Sequence, residues 1–473
     1  MSRIVIIGGG PAGYEAALVA AQLDADVTVI EADGAGGACV LSDCVPSKTF
    51  IASSDIVTGC RESDRFGVGS PSERNGDAPV RVSVDAAAVH ARVKELALAQ
   101  SADIQGKLIK AGVTYVPGRA RLGAETLGHT HRVEITPADG TGPYEVAAAS
   151  VLIATGATPR ILPDAVPDGE RILTWRQLYD LPALPEHLIV IGSGVTGAEF
   201  ASAYLAMGVH VTLVSSRDRV MPHEDAHAST AIEHVFRSRG MDILNNSRAR
   251  SVRRVGDGVE VTLADGRMVT GSHALMAVGS VPNTGSLALT EYGVDVAVGG
   301  YVTVDRVSRT NVPGIYAAGD CTGVLPLASV AAMQGRIAMW HALGEAVAPL
   351  KLSTVAANVF TDPELASVGV SQADVDSGRV PARAVTLSLD GNPRAKMIGA
   401  QDGFVKVFCR PVSGQVVGGV IVAPRASELI APIAMAVENH LTVDQLAHTI
   451  TIYPSISGSI AEAARQLMTH EPA

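Results

Sequence analysis

The chain has 473 residues, 47% of them hydrophobic and 18% charged, with a net charge of −11. That length suits two or three domains around a large core, and without a cluster of Lys and Arg the acidic balance argues against a nucleic-acid partner. No apolar run of about 18 residues occurs, so no membrane-spanning helix is expected, and five cysteines in so long a chain do not make a secreted disulfide scaffold. A strand begins at Ile4 with no charged-then-apolar signal segment before it, so the expected location is the cytoplasm.

Residues 3–31, RIVIIGGGPAGYEAALVAAQLDADVTVIE, read as strand, glycine turn, helix, strand. Gly8 makes the turn, Gly10 lets the backbone approach a pyrophosphate, and Gly13 lets helix and strand pack closely. The helix beginning at Pro11 and Ala12 points its N-terminus at the phosphates. Glu31, at the end of the second strand, is placed to accept hydrogen bonds from a ribose. A lone GxGxxG says little, but here strand, helix and acidic residue all agree on a dinucleotide site.

Five residues later comes GGACVLSDCVPSK, residues 36–48. Cys39 and Cys44, four residues apart, can close a small ring, and Pro46 suits the first turn of a helix. A helix N-terminus lowers a thiol pKa and makes the thiolate reactive. Elsewhere two such cysteines would read as small buried hydrophobes; directly after a dinucleotide fingerprint they read as a redox pair. Cys60, Cys321 and Cys409 are scattered and read as packing residues.

A helix from Pro46 leads to a polar loop over residues 67–78. Asp85 is placed to cap a long helix with Val89, Val93, Leu96, Ile104 and Leu108 on one apolar face. Short strands follow over 113–162, among them a hairpin turning at 138–142. VLIATGATPR, residues 151–160, runs an apolar strand into a glycine turn at Thr155 and Gly156, suited to a backbone crossing near a cofactor.

At Leu188 the opening pattern repeats: Gly192, Gly194 and Gly197, a helix from Val195, then a strand over 210–214. A second copy of the unit implies two nucleotides or two halves of one site. Where the first copy has Glu31, the second has Ser215, followed by Arg217 and Arg219. Arginines attract a ribose 2′-phosphate that a carboxylate would repel, so this nucleotide is expected to be NADPH, with NADH as the alternative and a merely solvated turn as the bland reading. LMAVGSVPNT brings a second strand-to-glycine element at Gly279. GIYAAGDCTG ends a strand at Gly319 and Asp320, an acidic group suited to a hydroxylated chain or, more plainly, a helix cap. The last 120 or so residues carry no nucleotide motif; strands over 356–360, 404–409 and 416–421 alternate with helices near 427–438 and 444–448, as in an α+β unit.

Taken together, GGGPAG, GGACVLSDCVPSK, ATGATPR, GSGVTGAEF, AVGSVPN, AAGDCTG and VFTDPELASVG occur in the order found in the flavoprotein disulfide reductases, the group of dihydrolipoamide dehydrogenase, glutathione reductase and mercuric reductase, and the chain resembles them along its whole length. The resemblance implies an α/β fold with two Rossmann-like domains. One binds FAD and is built from 1–160 and 281–348, one binds NAD(P) over 161–280, and an α+β dimerisation domain covers 349–473. It implies a homodimer in which the last domain completes the partner's active site. Gly10, Glu31 and Asp320 would hold FAD, with Ala32, Gly37 and Ala38 beside them. Cys44 would lie against the flavin, Cys39 would meet the substrate, and Lys48, paired with Glu199, would lie near flavin N5 and stabilise reduced cofactor. A structural ion pair is the plainer reading of Lys48 and Glu199. No metal is implied.

One departure governs function. The family's disulfide reductases carry a C-terminal His-Pro motif with a Glu five residues after the His, an acid–base partner for the substrate thiol. Here, in ITIYPSISGSIAEAARQ, Tyr453 stands at the His and Gly458 at the Glu. A tyrosine of ordinary pKa, about 10, is a poor proton shuttle at neutral pH, and neither His448 nor His470 is well placed to substitute. Mercuric reductases also carry a tyrosine here but need a C-terminal cysteine pair, which RQLMTHEPA lacks. The expected activity is therefore FAD-dependent NAD(P)H:quinone reduction, with Tyr453 near the acceptor. A disulfide reductase of unknown substrate is the alternative, a pyridine nucleotide transhydrogenase the third reading, and a non-catalytic FAD-binding interaction protein the reading from another class.

Overall fold

The structure is a computed structural model that describes residues 2–68, 82–123 and 130–468. Strand β1 (Arg3–Ile7), helix α1 (Pro11–Gln22) and strand β2 (Asp26–Glu31) form the first unit. β1 and β2 run parallel with Ile4 opposite Val27, and Ile4, Val5 and Ile6 are wholly buried, as continuous apolar strands covered on both faces must be. The sheet has seven strands in the order Ile315–Ala317, Ser150–Ile153, β1, β2, Thr114–Leu122, His131–Pro137, Tyr144–Ala148. The first five are parallel and the last two an antiparallel extension that contains the anticipated hairpin. Helices α2 (Gly37–Leu41), α3 (Cys44–Arg61) and α4 (Ala86–Lys110) follow β2. Asp85 caps α4, accepting from the Ala88 N–H at 3.0 Å.

The repeat builds a second parallel sheet of five strands, Asp242–Leu244, His210–Val214, His187–Ile191, His273–Met276 and Ile172–Leu173. Helix α5 (Val195–Met207) follows its glycine turn, and α6 (Ala226–Ser238) follows strand His210–Val214. The chain enters and leaves this unit through two short strands paired antiparallel, Ala157–Pro159 and Ser280–Pro282. The C-terminal unit is a five-stranded antiparallel sheet, Ala356–Val359, Glu364–Gly369, Val416–Ala423, Phe404–Cys409 and Arg383–Ser388. It is tied to the second unit by a buried ion pair, Lys406 Nζ to Asp225 Oδ2 at 2.7 Å.

Several expectations need correction. Leu96 is 40% exposed, and Ala97 takes the inward position on α4. Cys60 is exposed rather than packed, whereas Cys321 and Cys409 are buried. The expected helix near 427–438 is divided into Ala426–Leu429 and Ala431–Glu438 where Pro432, without an N–H, starts a new helix. Strands Glu364–Gly369 and Arg383–Ser388 and helix Gly458–Leu467 were not anticipated. The polar loop expected over 67–78 lies, from residue 69, outside the described residues, as does His470.

Candidate active site

A cavity of about 570 Å³ opens at the C-terminal ends of the parallel strands of the first sheet, where ligands of open α/β sheets bind. Its wall includes Gly8, Gly10, Pro11 and Ala12 of the first turn, Glu31 and Ala32 after β2, and Gly37, Ala38, Cys39 and Cys44 from α2 and α3. Thr155 and Gly156 of the ATG turn and Gly319 and Asp320 complete the opposite side.

The glycines have separate causes. At Gly8, φ is +108°, and a Cβ there would sit 2.2 Å from the Ala154 carbonyl oxygen. A Cβ on Gly13 would sit 1.8 Å from the Gly8 oxygen, so α1 packs against the turn only because that residue has no side chain. Gly10 has an ordinary φ of −67°, and its Cβ would meet nothing nearer than 3.9 Å; its open side faces the cavity at the start of α1. The Glu31 carboxylate accepts from the Gly9 N–H and, at 2.8 Å, the Asp33 N–H, which fixes it in the wall while leaving lone pairs for a hydroxylated ligand. The buried Thr155 Oγ1 and Arg176 Nε lack partners. Buried polar atoms are normally paired, and a cavity-lining pair of orphans fits a polar ligand as long as FAD.

The cysteine pair sits at one end of this cavity. Cys39 lies within α2, and Cys44 opens α3 with Pro46 in the first turn. Both are thiols in this structure. Cys39 donates its S–H toward Cys44, and that hydrogen bond lowers the Cys44 pKa against the opposing effect of burial, with Lys48 adding to the lowering. The same bond, with burial, pushes the Cys39 thiol far up. The pair thus holds one proton firmly, on Cys39, and favours the thiolate at Cys44.

One turn further along α3, Lys48 Nζ donates to Glu199 Oε2 at 2.7 Å. Glu199, on α5, is 4% exposed and Lys48 30%. The other carboxylate oxygen, Oε1, accepts from the Phe360 N–H at 2.9 Å, and Lys48 Nζ stands 4.8 Å over the Phe360 ring. Burial, the largest single influence, works against the ammonium charge, but Glu199, Cys44 and Asp43 together outweigh it and the Lys48 pKa is raised. One carboxylate therefore joins three parts of the chain at the lysine.

In the second unit Gly192 (φ +109°) and Gly197 repeat the tight contacts: their Cβ atoms would sit 2.1 Å from the Ala277 oxygen and 1.8 Å from the Gly192 oxygen. Gly194 and Gly279 face open space with nothing within 4 Å of an added Cβ, and Val195 at the helix start is 43% exposed. Ser215 is a correction: it is wholly buried, accepts from the Ser193 hydroxyl at 2.7 Å and the Arg217 N–H at 3.1 Å, and presents nothing to a ligand. Arg217 is exposed, and Arg219 keeps a buried Nε without a partner. Arg267, which donates to Ser247 at 2.7 Å, stands beside them, since the Ser247 N–H donates to the Ser215 carbonyl. No strand or turn signal in the sequence connects Arg267 to this place.

Tyr453 does not line the cavity of its own chain. It is 83% exposed, in a run with Ile450 at 99% and Ile452 at 80%. His448 is exposed and bonds the Asp444 carbonyl. Among the described residues no histidine lines the cavity. Asp43, Trp175, Arg176 and Asn283, which the sequence motifs do not single out, also line it; Asp43 stands inside the cysteine motif and Asn283 at the end of AVGSVPN, whereas Trp175 and Arg176 belong to a segment without a motif.

The model of the pyridine nucleotide-disulphide oxidoreductase family matches residues 2–335, and that of its dimerisation domain residues 355–464. A protein of Mycobacterium tuberculosis named NAD(P)H dehydrogenase (quinone) is 59% identical over all of this chain and 95% of its own length. Dihydrolipoyl dehydrogenase of Chlamydia pneumoniae is 31% identical over 98% of this chain and 97% of its own length. The crystal structure of LpdA from Mycobacterium tuberculosis superposes with a TM-score of 0.94 at 58% identity, covering 99% of this chain and all of that one.

Proposed function

The chain belongs to the pyridine nucleotide-disulphide oxidoreductase family, and on that premise we propose that it is an FAD-dependent NAD(P)H:quinone oxidoreductase. The observation that carries this reading is a dinucleotide cavity that ends at the cysteines, near a Lys48–Glu199 pair, in a chain with Tyr453 and Gly458 where the family's disulfide reductases carry their His and Glu. The 59% identical relative's name points the same way.

When bound, FAD supplies the redox centre between nicotinamide and acceptor. The N-terminus of α1 and the bare backbone at Gly10 suit its pyrophosphate; Glu31 and Asp320 suit its sugar and ribityl hydroxyls. Lys48, one turn along α3 from the cavity-lining Cys44 and itself outside the cavity wall, keeps a positive charge near the cysteines, and Glu199 holds that charge in place. The second glycine turn, with Gly194 open to solvent, suits the nicotinamide nucleotide. Arg217 and Arg219 favour a 2′-phosphate, hence NADPH over NADH. Without a base to activate a substrate thiol, thiol exchange is slow, and electrons pass instead to a flat acceptor such as a quinone.

The exposed apolar run at Ile450, Ile452 and Tyr453 is the surface a second copy would cover, so we read the protein as a homodimer in which Tyr453 belongs to the partner's acceptor site. No helix of the described residues is long and apolar enough to cross a membrane, and the sparse cysteines suit the cytoplasm.

Anaerobic titration with NADPH, then mixing with benzoquinone, naphthoquinone, lipoamide and glutathione disulfide, tests this. Quinone turnover should dominate; disulfide turnover far above the quinone rate would reject the reading. The intact thiol pair supports one other reading, a disulfide reductase, for which Cys39→Ser would abolish turnover.

A further inference from the structure

Reducing a quinone to a hydroquinone consumes protons, and the proposed function leaves their source unassigned. We propose that Asp43 is the acid that hands a proton to the bound quinone, in the role that the family's histidine–glutamate pair would otherwise fill; this rests on the quinone-reductase reading.

Asp43 stands between the two cysteines as the residue that caps α3, yet its side chain makes no capping bond. The caps of α4 and α6 behave differently: Asp85 accepts from the Ala88 N–H, and Asp225 from the His227 N–H at 2.9 Å. Released from its own helix, Asp43 lies in the cavity wall with Cys39, Cys44, Arg176 and Asp320. No described residue donates a hydrogen bond to its carboxyl group, so the donors that ordinarily hold a carboxylate in its charged form are missing. The groups facing it pull both ways. Lys48 on α3 and Arg176 favour the charge; Glu199 on α5 and Asp320 oppose it. Burial is the largest influence and moves the carboxyl up from its ordinary value. A carboxyl group shifted in this direction in the wall of a ligand cavity is favoured toward the acid form that can donate a proton. By contrast, Glu31 is tied by two backbone N–H groups, Asp320 on the opposite side of the cavity suits the ribityl hydroxyls, and Cys39 keeps its proton in the bond it donates to Cys44.

The overall step balances as NADPH + H⁺ + quinone → NADP⁺ + hydroquinone. NADPH is oxidised and provides two electrons and one proton. The second proton comes from the Asp43 O–H, which breaks as a quinone oxygen gains its hydrogen and both C=O bonds become C–OH. The Asp43 carboxylate then takes a proton from water.

The test uses the FAD-loaded enzyme and its Asp43→Asn and Asp43→Glu variants, with 1,4-benzoquinone and with ferricyanide, which accepts electrons without protons. General acid catalysis contributes roughly 10²–10⁴-fold. Asp43→Asn should therefore lower kcat for benzoquinone about a hundredfold, at least tenfold more than it lowers kcat for ferricyanide. It should also abolish the alkaline limb of the benzoquinone pH profile. Asp43→Glu should recover most of the rate. Infrared difference spectra recorded on NADPH addition give a readout apart from turnover: a protonated-carboxyl band in the wild type, lost in Asp43→Asn and shifted in Asp43→Glu. Equal losses with both acceptors, an unchanged pH profile, or no such band in the wild type would overturn the assignment. If Asp43→Asn fails to hold FAD, the wild-type band and its shift in Asp43→Glu decide. A wild-type enzyme that ignores benzoquinone and reduces disulfides would instead overturn the function on which the proposal rests.

Discussion

Glu199 holds Lys48 at 2.7 Å with one carboxylate oxygen while the other accepts the Phe360 N–H at 2.9 Å. Both oxygens of a carboxylate only 4% exposed are thereby satisfied, which is what makes a buried charge tolerable. Three segments far apart in sequence meet on one side chain. The lysine's charge is thus set by the assembled fold and not by α3 alone.

Glu199→Gln keeps the shape and removes the charge. With its counter-ion gone, the half-buried lysine is expected to lose proton affinity, and the bound flavin should become harder to reduce. The midpoint potential, read against a reference dye, should shift negative, and unfolding should cost about 1–3 kcal/mol less than in the wild type. An unchanged potential would mean the pair only joins the domains.

Gly194→Ala and Gly197→Ala should fail in different ways. At Gly197 a Cβ collides with the Gly192 oxygen at 1.8 Å, whereas at Gly194 it meets nothing within 4 Å. Gly197→Ala should therefore lower Tm steeply or abolish soluble protein. Gly194→Ala should keep Tm within a degree or two but raise KM for NADPH about tenfold, because only a ligand's close approach requires that glycine. Differential scanning fluorimetry and steady-state kinetics on the same preparations separate the two.

Arg217→Ala should raise KM for NADPH about tenfold and leave KM for NADH nearly unchanged, since a charge-assisted bond to a 2′-phosphate, roughly 1.5–3 kcal/mol, exists for one nucleotide alone. Equal changes for both would identify Arg217 as a solvated turn residue.

Cys39→Ser tests whether sulfur takes part. The proton on Cys39 is held by the bond to Cys44 and by burial, so Cys39 is a poor nucleophile at neutral pH. The variant should retain more than half of the quinone turnover. Alkylation of the reduced wild type by iodoacetamide should mark Cys44 well before Cys39, as peptide mass mapping would report.

His273 makes the fold acid-sensitive. Burial, then the adjacent Arg171, lowers its pKa to about 4 from 6.5, and Arg171 donates to its Nε2 at 3.2 Å. The neutral ring is favoured in the folded state, so its contribution is complete above the unfolded value and is lost as pH falls from about 6.5 toward about 4. Urea denaturation should show the wild type losing about 2–3 kcal/mol over that window. His273→Gln should flatten the decline.

Much of this was legible in the sequence because glycine constraints are local. Gly8, Gly13, Gly192 and Gly197 announce their turns by spacing, and the same spacing places the helix and strand around each. The Lys48–Glu199 pair, separated by 151 positions, was reachable only through the family resemblance, since no periodicity links α3 to α5. Asp43, Arg176 and Arg267 escaped notice because their meaning depends on what lies across a cavity or a sheet edge. Ser215 misled for the opposite reason. Its position in the motif suggested a ligand contact, but its hydroxyl is consumed by Ser193 and the Arg217 N–H. Strand Arg383–Ser388 packs only alternate residues at the edge of its sheet, a weaker signal than the fully buried Phe404–Cys409 beside it.

Cys44 and Lys48 are four positions apart on one continuous 18-residue helix, about 6 Å along its axis and on the same side. A rigid rod carries both, so any tilt or slide of α3 moves anion and cation together and leaves their mutual spacing untouched. The arrangement is tolerant of drift but intolerant of a change in count. One residue inserted between them would swing the ammonium roughly 100° around the barrel of the helix, away from Glu199, a lesion that no adjustment of neighbouring side chains would mend.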